Sequence, residues 1–239
     1  RQLLAAGCEQ FLLVPTYPQY SCATNGATLS FVLDGLKEVA PEAPVHVVAD
    51  WPVQEGFVQT LAEPVAETIG AWAAAGHDPT ECALVYVAHS LPMKFIDGGD
   101  PYQVRTDLTV TEVHGLASKA IAEAGHAAWL GQLDGGPVPR LAFQSRVGPI
   151  KWLGPEITLE VERLAGAGIR RLHVQPVSFT CEHIETLMEL DVELREDAEK
   201  AGIIDYRRGP ALNLAPAWLD SMARDLAAEA FTPEVPSRA

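Results

Sequence analysis

Carboxylate side chains recur at a regular spacing within residues 175–193. Glu185, Glu189 and Glu193 are four positions apart, so an α-helix would place their carboxylates on one face. An apolar run ends in a turn just before them, which puts ionisable groups at a strand-to-helix corner. Two interpretations are open at this point. The carboxylates belong to a functional site, or they form a solvated helix face whose first turn suits the positive end of the helix dipole.

Histidines stand at two predicted strand ends. His89 ends an apolar run, and His183 opens the acidic helix pattern just before Glu185. An imidazole that faces a carboxylate can take and pass on protons near neutral pH, or hold a divalent metal. A lone histidine at a strand end is more often a satisfied cap. The presence of both histidines at strand ends favours the chemical interpretation.

The elements that must position these residues follow from hydrophobic periodicity. Apolar runs predict buried strands at residues 11–14, 45–48, 83–87, 140–143 and 171–177. Helical patterns lie at residues 28–39, 54–75, 108–124, 156–167, 183–201 and 216–231, with an irregular stretch around 207–214 and a disordered tail at 232–239. Alternation of helices with strands this apolar predicts an α/β fold, in which helices cover both faces of a parallel sheet.

Polar sequences follow the first, third, fourth and fifth predicted strands, at residues 15–21, 88–92, 144–149 and 179–183. Ligands of open parallel sheets bind outside the carboxyl ends of the strands. These four segments are therefore expected to meet at one rim and to form the site. Trp152 and Phe179 could supply an aromatic wall for a flat ligand there, or could be core residues.

Composition excludes several classes of function. The formal charge of −15 over 239 residues argues against nucleic acid as a partner and against broad adsorption to anionic lipid. The four cysteines are isolated in sequence, so a zinc ribbon or a cysteine-ligated cluster is not supported. No apolar run is long enough to span a membrane and no secretory signal opens the chain, which predicts an intracellular protein. Phosphate-binding loops, dinucleotide fingerprints and nucleophile elbows are absent from the sequence.

Several motifs resemble those of ferrochelatases, the enzymes that insert ferrous iron into a porphyrin. They are YPQYS (residues 17–21, with Thr24 and Gly26), AHSLP (88–92), GDPY (99–102), QSRVGP (144–149), WLGP (152–155) and HIETL (183–187, with Glu189, Leu190, Asp191 and Glu193). The motifs occur in the family's order and extend over most of the chain. The chain is therefore identified as a member of the ferrochelatase family, which implies a Rossmann-like, chelatase-like fold.

The resemblance implies a role for individual residues. His89 and Glu185 match the catalytic histidine and glutamate, which face each other across the porphyrin. The residues implied to contact metal are His89, Glu185, Glu182, His183, Glu189 and Glu193, and those implied to bind porphyrin are Tyr20, Ser145, Trp152 and Phe179. Glu182 stands where many relatives have Asp, and Cys181 where a Ser is common, so we expect tuning of this loop rather than loss of function.

Substrates and partners follow from the same resemblance. Porphyrin and ferrous iron are the expected substrates, in haem biosynthesis in the cytoplasm, and the choice between protoporphyrin and coproporphyrin is left open. No permanently bound cofactor is expected. Family members with an iron–sulfur cluster hold it through cysteines near the C-terminus, whereas the last cysteine here is Cys181, so no iron–sulfur cluster is expected. Association with a membrane surface or with another haem-pathway enzyme is also left open.

The resemblance predicts three segments in the chain. Residues 1–20 are expected to be the end of a truncated first chelatase domain, residues 21–207 the second domain, and residues 208–239 a helix that returns to the first domain, plus a tail. The first domain would supply the opposite wall of the porphyrin cleft and is an expected partner. Two alternatives remain: a non-catalytic tetrapyrrole or metal binder of the same fold, and a chelatase for cobalt and another macrocycle, which fits the motifs less well.

Overall fold

The computed structural model describes residues 1–133 and 139–231, so the predicted tail at 232–239 lies outside the described residues. The described strands are β1 (Phe11–Leu13), β2 (Val45–Val47), β3 (Cys82–His89), β4 (Arg140–Gln144), β5 (Arg171–Pro176) and β6 (Asp205–Arg208). The described α-helices are α1 (Gln2–Ala5), α2 (Ala27–Val39), α3 (Glu55–Ala74), α4 (Met93–Asp97), α5 (Tyr102–Glu123), α6 (Ala127–Leu130), α7 (Ile157–Gly166), α8 (Ile184–Leu187), α9 (Leu194–Ala201) and α10 (Pro216–Phe231). Turns of π-helix at Cys22–Gly26 and Glu189–Glu193 and a 3-10 turn at Pro79–Glu81 complete the list.

The main sheet is parallel and has the strand order β4-β3-β5-β6. Strand β3 lies inside it, and its residues alternate between two cores. Leu84, Tyr86 and Ala88 pack with α3 and α5 residues on one face. The intervening Val85 and Val87 pack with α7 and α9 residues on the other. The predicted α/β class, with helices on both faces of a parallel sheet, is confirmed.

The expectation of one sheet is wrong for the first two strands. β1 and β2 pair in parallel with each other, with Phe11 opposite Val45, and form a separate two-stranded sheet. Every residue of β1 is half-buried, whereas all of β3 except His89 is buried. The first two strands were predicted to be buried because they are apolar, but within the described residues they have one strand neighbour each and incomplete cover.

Strand β6 lies where an irregular stretch was expected. Its residues are charged apart from Tyr206, so hydrophobic periodicity gives no signal. It nevertheless pairs with β5, Arg171 opposite Asp205, and it stands at the end of the described strand order. Its charges are balanced by ion pairs such as Arg207 with Asp205.

Helix α5 begins at Tyr102, earlier than the predicted start at residue 108. The hydrophobic period is not visible in its first turns, because the polar residues Thr106 and Thr109 occupy buried positions there. Thr106 donates its hydroxyl proton to the carbonyl of Tyr102 in the preceding turn at 2.8 Å, and Thr109 donates to the carbonyl of Pro52 at 2.7 Å. The hydroxyl groups are therefore satisfied inside the core, and the helix tolerates them.

The acidic helix predicted at residues 183–201 is divided into α8, the π-helical turn Glu189–Glu193 and α9. The N–H of Glu193 donates to the carbonyl of Met188, five residues earlier, at 2.9 Å. Because the helix is divided in this way, its apolar residues do not all face the core. Ile184 is 75% exposed, because α8 lies at the surface, while Leu190 and Leu194 are buried. None of the helices within residues 1–133 and 139–231 is long and apolar enough to cross a lipid bilayer.

Candidate active site

His89 is held at the end of β3 by its own backbone. Its N–H donates to Ser178 Oγ at 3.0 Å, and its carbonyl accepts from Tyr102 Oη at 2.8 Å. Its Nδ1 lies 2.6 Å from the carbonyl oxygen of Ser90. Because a carbonyl can only accept, Nδ1 carries the proton, and in the neutral imidazole Nε2 presents a lone pair.

Glu185 faces that lone pair. Its Oε1 lies 3.7 Å from His89 Nε2, and its Oε2 lies 3.8 Å from His183 Nδ1. The backbone N–H of Glu185 donates to His183 Nδ1 at 3.2 Å, so this second imidazole caps α8. The His89 and Glu185 side chains are 34% and 36% exposed, which leaves the pair open to solvent and to a ligand.

A cavity of about 440 Å³ opens on one side of this pair, and we call it the aromatic cavity. Its described lining is Thr16, Tyr17, Gln19, Ser21, Thr24, His89, Leu91, Tyr102, Ser178, Phe179, Thr180, Cys181, His183 and Glu185. The Phe179 ring stands edge-on to His183, with the ring centroids 4.8 Å apart. Burial raises the pKa of Tyr102 to about 12, against hydrogen bonds from Ser178 and Thr106, so the phenol stays protonated as a donor to His89.

A second cavity of about 610 Å³ shares the same two residues, and we call it the acidic cavity. Its described lining is His89, Gln144, Ser145, Arg146, Val147, Trp152, Glu156, Ile157, Thr158, Ile184, Glu185, Met188, Glu189, Leu190, Glu193, Leu194 and Asp197. The predicted carboxylate series at Glu185, Glu189 and Glu193 therefore faces one space, although a π-helical turn rather than a continuous α-helix arranges it.

The carboxylate of Glu189 is fixed by the end of β4. Ser145 Oγ donates to its Oε2 at 2.6 Å, and Gln144 Nε2 donates to the same oxygen at 3.1 Å. Gln144 Nε2 also donates to the carbonyl of Glu185 at 2.7 Å. Ser145 adopts a φ of 64°, an uncommon value for a non-glycine residue, which this interaction helps to hold.

Comparison with known proteins decides the family. The sequence model of the family described as Ferrochelatase matches residues 1–230. The chain belongs to the ferrochelatase family. A ferrochelatase of Trichodesmium erythraeum is 35% identical over 234 residues, which are 96% of this chain and 54% of that protein. A ferrochelatase of Gloeobacter violaceus is 34% identical over 93% of this chain and 63% of that protein. The chain thus spans somewhat more than half the length of these curated relatives.

A solved structure, SirB from Bacillus subtilis with Fe3+, superposes with a TM-score of 0.57. The sequences are 11% identical, and the match covers 96% of this chain and 75% of that one. At this identity the likeness concerns the fold alone, and it agrees with the predicted chelatase-like arrangement.

Most residues that the ferrochelatase motifs predicted for the site line one of the two cavities. Phe179 and His183 line the aromatic cavity, Glu189 and Glu193 line the acidic cavity, and His89 and Glu185 line both. Ser145 and Trp152 were predicted to bind porphyrin with Phe179, but they line the acidic cavity, where Trp152 Nε1 donates to the carbonyl of Val147 at 3.1 Å. The structure places most of the predicted site residues around the two cavities. Their roles in binding metal or porphyrin remain predictions.

Two predicted site residues lie outside the described lining of both cavities. Tyr20 packs its hydroxyl against Gly26, where an added Cβ would lie 2.9 Å from it. Glu182 accepts from Arg208 Nη1 at 2.5 Å and from the N–H of Ala211 at 2.8 Å. Burial raises the pKa of the Glu182 carboxyl, but hydrogen bonds from Thr186, Arg208 and Ala211 outweigh it and hold the pKa below its ordinary value. Its carboxylate is therefore ionised, and its Oε1 already accepts two hydrogen bonds.

Other lining residues had not been singled out. Tyr17 and Gln19 belong to the YPQYS motif, and Tyr102 to the GDPY motif, so the motifs pointed to their segments without distinguishing them. Asp100, beside Tyr102, accepts from Ser21 Oγ at 2.8 Å and ties the first motif to the second. Within the part of the chain that the structure describes, His, Cys, Asp and Glu side chains form no group of three or more that could hold a metal ion. The six predicted metal residues are thus not one coordination shell.

Proposed function

We propose that the protein is a ferrochelatase, a lyase that inserts ferrous iron into a porphyrin in haem biosynthesis. The observation that carries this proposal is the position of His89 and Glu185, which belong to the lining of both the aromatic and the acidic cavity. A reaction that joins a flat apolar macrocycle to a divalent cation needs acceptor groups where the two reactants meet. Family membership supplies the reaction, and the two cavities supply a place for each reactant.

The aromatic cavity suits the macrocycle. Phe179, Tyr17 and Leu91 offer ring and aliphatic surface, and hydroxyl groups of neighbouring residues can meet polar substituents. Metal insertion releases two pyrrole protons for each ferrous ion bound, so the site must accept protons. His89 meets this need because its Nδ1 proton is engaged by the Ser90 carbonyl and its Nε2 lone pair is free to accept.

The acidic cavity suits the cation. Glu185, Glu189 and Glu193 offer carboxylate oxygens to a hydrated divalent ion, and together with Glu156 and Asp197 they outnumber the single arginine of the lining, Arg146. Ferrous iron is a substrate here, and carboxylates that are spread along a cavity rather than gathered in one shell suit an ion that must move on. We therefore assign iron entry to this side.

The domain division is also a proposal. The pairing of β1 with β2 supports an N-terminal unit that reaches residue 47, rather than residue 20, because both strands belong to the same small sheet. The half-buried residues of β1 and β2 would be covered by a preceding chelatase domain that supplies the opposite wall of the cleft. A cytoplasmic location, the absence of an iron–sulfur cluster, and association with membranes or other enzymes rest on the sequence resemblance alone.

Mixing the protein with ferrous or zinc ion and either protoporphyrin or coproporphyrin under anaerobic conditions tests the proposal. The Soret and visible bands should shift to those of the metalloporphyrin. His89→Ala and Glu185→Gln should each lower kcat by a factor on the order of 100 to 10,000, because each removes a proton acceptor. His77→Ala, which changes a histidine outside both described linings, is the matched control and should keep the rate. Porphyrin binding without metal insertion would instead support the non-catalytic binder.

A further inference from the structure

Strand β6 ends at Arg208, whose side chain is largely buried and contacts two carboxylates. Arg208 Nε and Nη2 donate to the two oxygens of Asp191 at 2.9 and 2.5 Å. Its Nη1 donates to Glu182 Oε1 at 2.5 Å and to the carbonyl of Gly209 at 3.1 Å. The side chain is 9% exposed. An arginine fork on one carboxylate, with a second carboxylate beside it, is a rigid arrangement that lysine cannot reproduce.

The two carboxylates bracket the acidic part of the site. Glu182 directly precedes His183, the cap of α8, and Asp191 lies within the π-helical turn. Glu185 and Glu189 lie between these two anchors. A single guanidinium therefore holds both ends of the segment that presents Glu185 and Glu189.

Polar contacts hold this segment more than apolar packing does, and besides Arg208 they come from the end of β4, where Gln144 Nε2 donates to the carbonyl of Glu185 at 2.7 Å and Ser145 Oγ donates to Glu189. Helix α8 has four residues, and Ile184 and Leu187 are 75% and 49% exposed, so its apolar side chains contribute little packing. The π-helical turn is anchored separately, since Tyr206 Oη donates to the carbonyl of Leu190 at 2.8 Å. That contact reaches only the later end of the segment.

From this geometry we propose that Arg208, with Glu182 and Asp191, is a positioning unit that sets where Glu185 stands relative to His89. The inference rests on the proposed function. It also gives Glu182 a different task from the metal contact that the family resemblance implied. The carboxylate of Glu182 accepts a hydrogen bond from Arg208. The distance from Glu185 Oε1 to His89 Nε2, which is 3.7 Å, depends on that contact.

Comparison of two neighbouring arginines tests this proposal. Arg207 also pairs with an aspartate, Asp205, on the same strand, but that pair does not contact the site segment. We expect Arg208→Gln to lower kcat about 100-fold, as displacement of a catalytic group by about 1 Å does, with little change in the porphyrin KM. Arg208→Lys should recover only part of the rate. Arg207→Gln should keep kcat, with rates measured per folded molecule below the melting temperature of each variant. Equal kcat in the Arg208→Gln and Arg207→Gln variants would overturn the proposal.

Glu182→Gln separates positioning from metal binding. The amide oxygen can still accept from Arg208 and from the N–H of Ala211, but an amide is a poor ligand for a divalent ion compared with a carboxylate. A positioning role predicts a metal KM within about twofold of wild type, with Glu182→Ala losing kcat instead. A tenfold rise in the metal KM of Glu182→Gln at unchanged kcat would assign the residue to metal binding and contradict the inference.

Hydrogen exchange makes the result independent of turnover. Arg208→Gln should speed amide exchange across residues 183–193, and Arg207→Gln should not. If the wild-type chain inserts no metal, the proposed function fails, whereas exchange in this segment still reports whether Arg208 holds it. Unchanged exchange in Arg208→Gln would refute the positioning unit even in an active enzyme.

Discussion

The two cavities that meet at His89 and Glu185 are built in different ways. The aromatic cavity is lined partly by residues of the protein interior, since Gln19, Tyr102 and Phe179 are 2%, 6% and 6% exposed. The acidic cavity is lined partly by surface residues, since Val147 and Ile184 are 73% and 75% exposed. Both linings mix buried and exposed residues, since Tyr17 of the aromatic cavity is 45% exposed and Leu190 of the acidic cavity is fully buried. The contrast therefore concerns the packed part of the aromatic wall around Phe179 and the hydrogen-bonded part of the acidic wall around Glu189.

This difference matches the needs of the two proposed substrates. A rigid macrocycle gains from a wall that is already in place, because no side chain has to be ordered when it binds. A hydrated cation must be attracted and then released, which exposed carboxylates in a solvated space permit. Changes to the aromatic wall should therefore affect folding and porphyrin binding together, whereas changes to the acidic wall should affect metal kinetics alone.

The largest effect is expected at Phe179. Phe179→Ala should lower the free energy of unfolding by about 3 to 5 kcal/mol, because it removes a buried ring, and should weaken porphyrin binding as well. Chemical denaturation and a Soret titration at low temperature measure the two effects. Phe31→Ala is the matched control, since Phe31 is 83% exposed on α2, and it should change stability by less than about 0.5 kcal/mol. A stable Phe179→Ala protein would show that the aromatic wall is not part of the core.

The next largest effect concerns the pH dependence of stability and a buried histidine, His173. His173 is buried in β5, with Nδ1 2.9 Å from Thr68 Oγ1 and Nε2 3.3 Å from Gln175 Oε1. Burial lowers its pKa to about 4, against a hydrogen bond that the imidazole donates to Gln175 Oε1 and with help from the charge of Arg207. Because the unfolded chain then binds more protons than the folded one, stability is full above pH 6.5 and is lost as pH falls towards 4.

This loss amounts to about 3 kcal/mol and should disappear in His173→Gln. Urea denaturation at pH 7 and pH 4 in both proteins measures it. His77→Gln, which keeps His173 and changes a histidine outside both described cavity linings, serves as the control. A wild-type loss that persists in His173→Gln would place the titrating group elsewhere.

A smaller effect is expected in the acidic cavity. Glu189→Gln keeps an oxygen that can accept from Ser145 and Gln144, but it removes the charge. The metal KM should rise about tenfold, equivalent to about 1.4 kcal/mol, while porphyrin binding and stability stay nearly unchanged. Steady-state kinetics with zinc and protoporphyrin measure this, with the exposed Glu199→Gln on α9 as control. If both substitutions raised the metal KM equally, general surface charge rather than the acidic cavity would be responsible.

The sequence predicted those parts of the molecule that depend on local pattern. β3 and β5 are apolar runs, and the helices beside them have the expected period, so the main sheet was foreseen. β6 was missed because its charged residues give no hydrophobic period and some of their partners are distant in sequence, as Glu182 is from Arg208, 26 positions later. No local pattern records such a contact. The same contact explains why Glu182, although it directly precedes the HIETL motif, is not among the described lining residues of either cavity.

The site could be predicted as a set of residue types at one rim, but not residue by residue. His89 and Glu185 were foreseen because strand ends and helix starts place them. Within residues 14–21 the chain is irregular, so no period indicates which side chain faces the cavity. Tyr17 lines it and Tyr20 does not, although the porphyrin contact had been assigned to Tyr20.

The smallest effect tests that choice of tyrosine. Replacing either ring with leucine keeps apolar bulk and removes aromatic surface. Tyr17→Leu should raise the porphyrin Kd about threefold, because an aromatic contact contributes on the order of 0.5 to 1.5 kcal/mol, whereas Tyr20→Leu should leave the Kd within about 1.5-fold. Soret titrations of both variants with protoporphyrin measure the difference. A larger loss in Tyr20→Leu would mean that the porphyrin reaches beyond the aromatic cavity towards Gly26, where the Tyr20 hydroxyl packs. The packed wall of the aromatic cavity would then reach the turn at Gly26. The contrast between this packed wall and the solvated acidic cavity would apply to that turn as well.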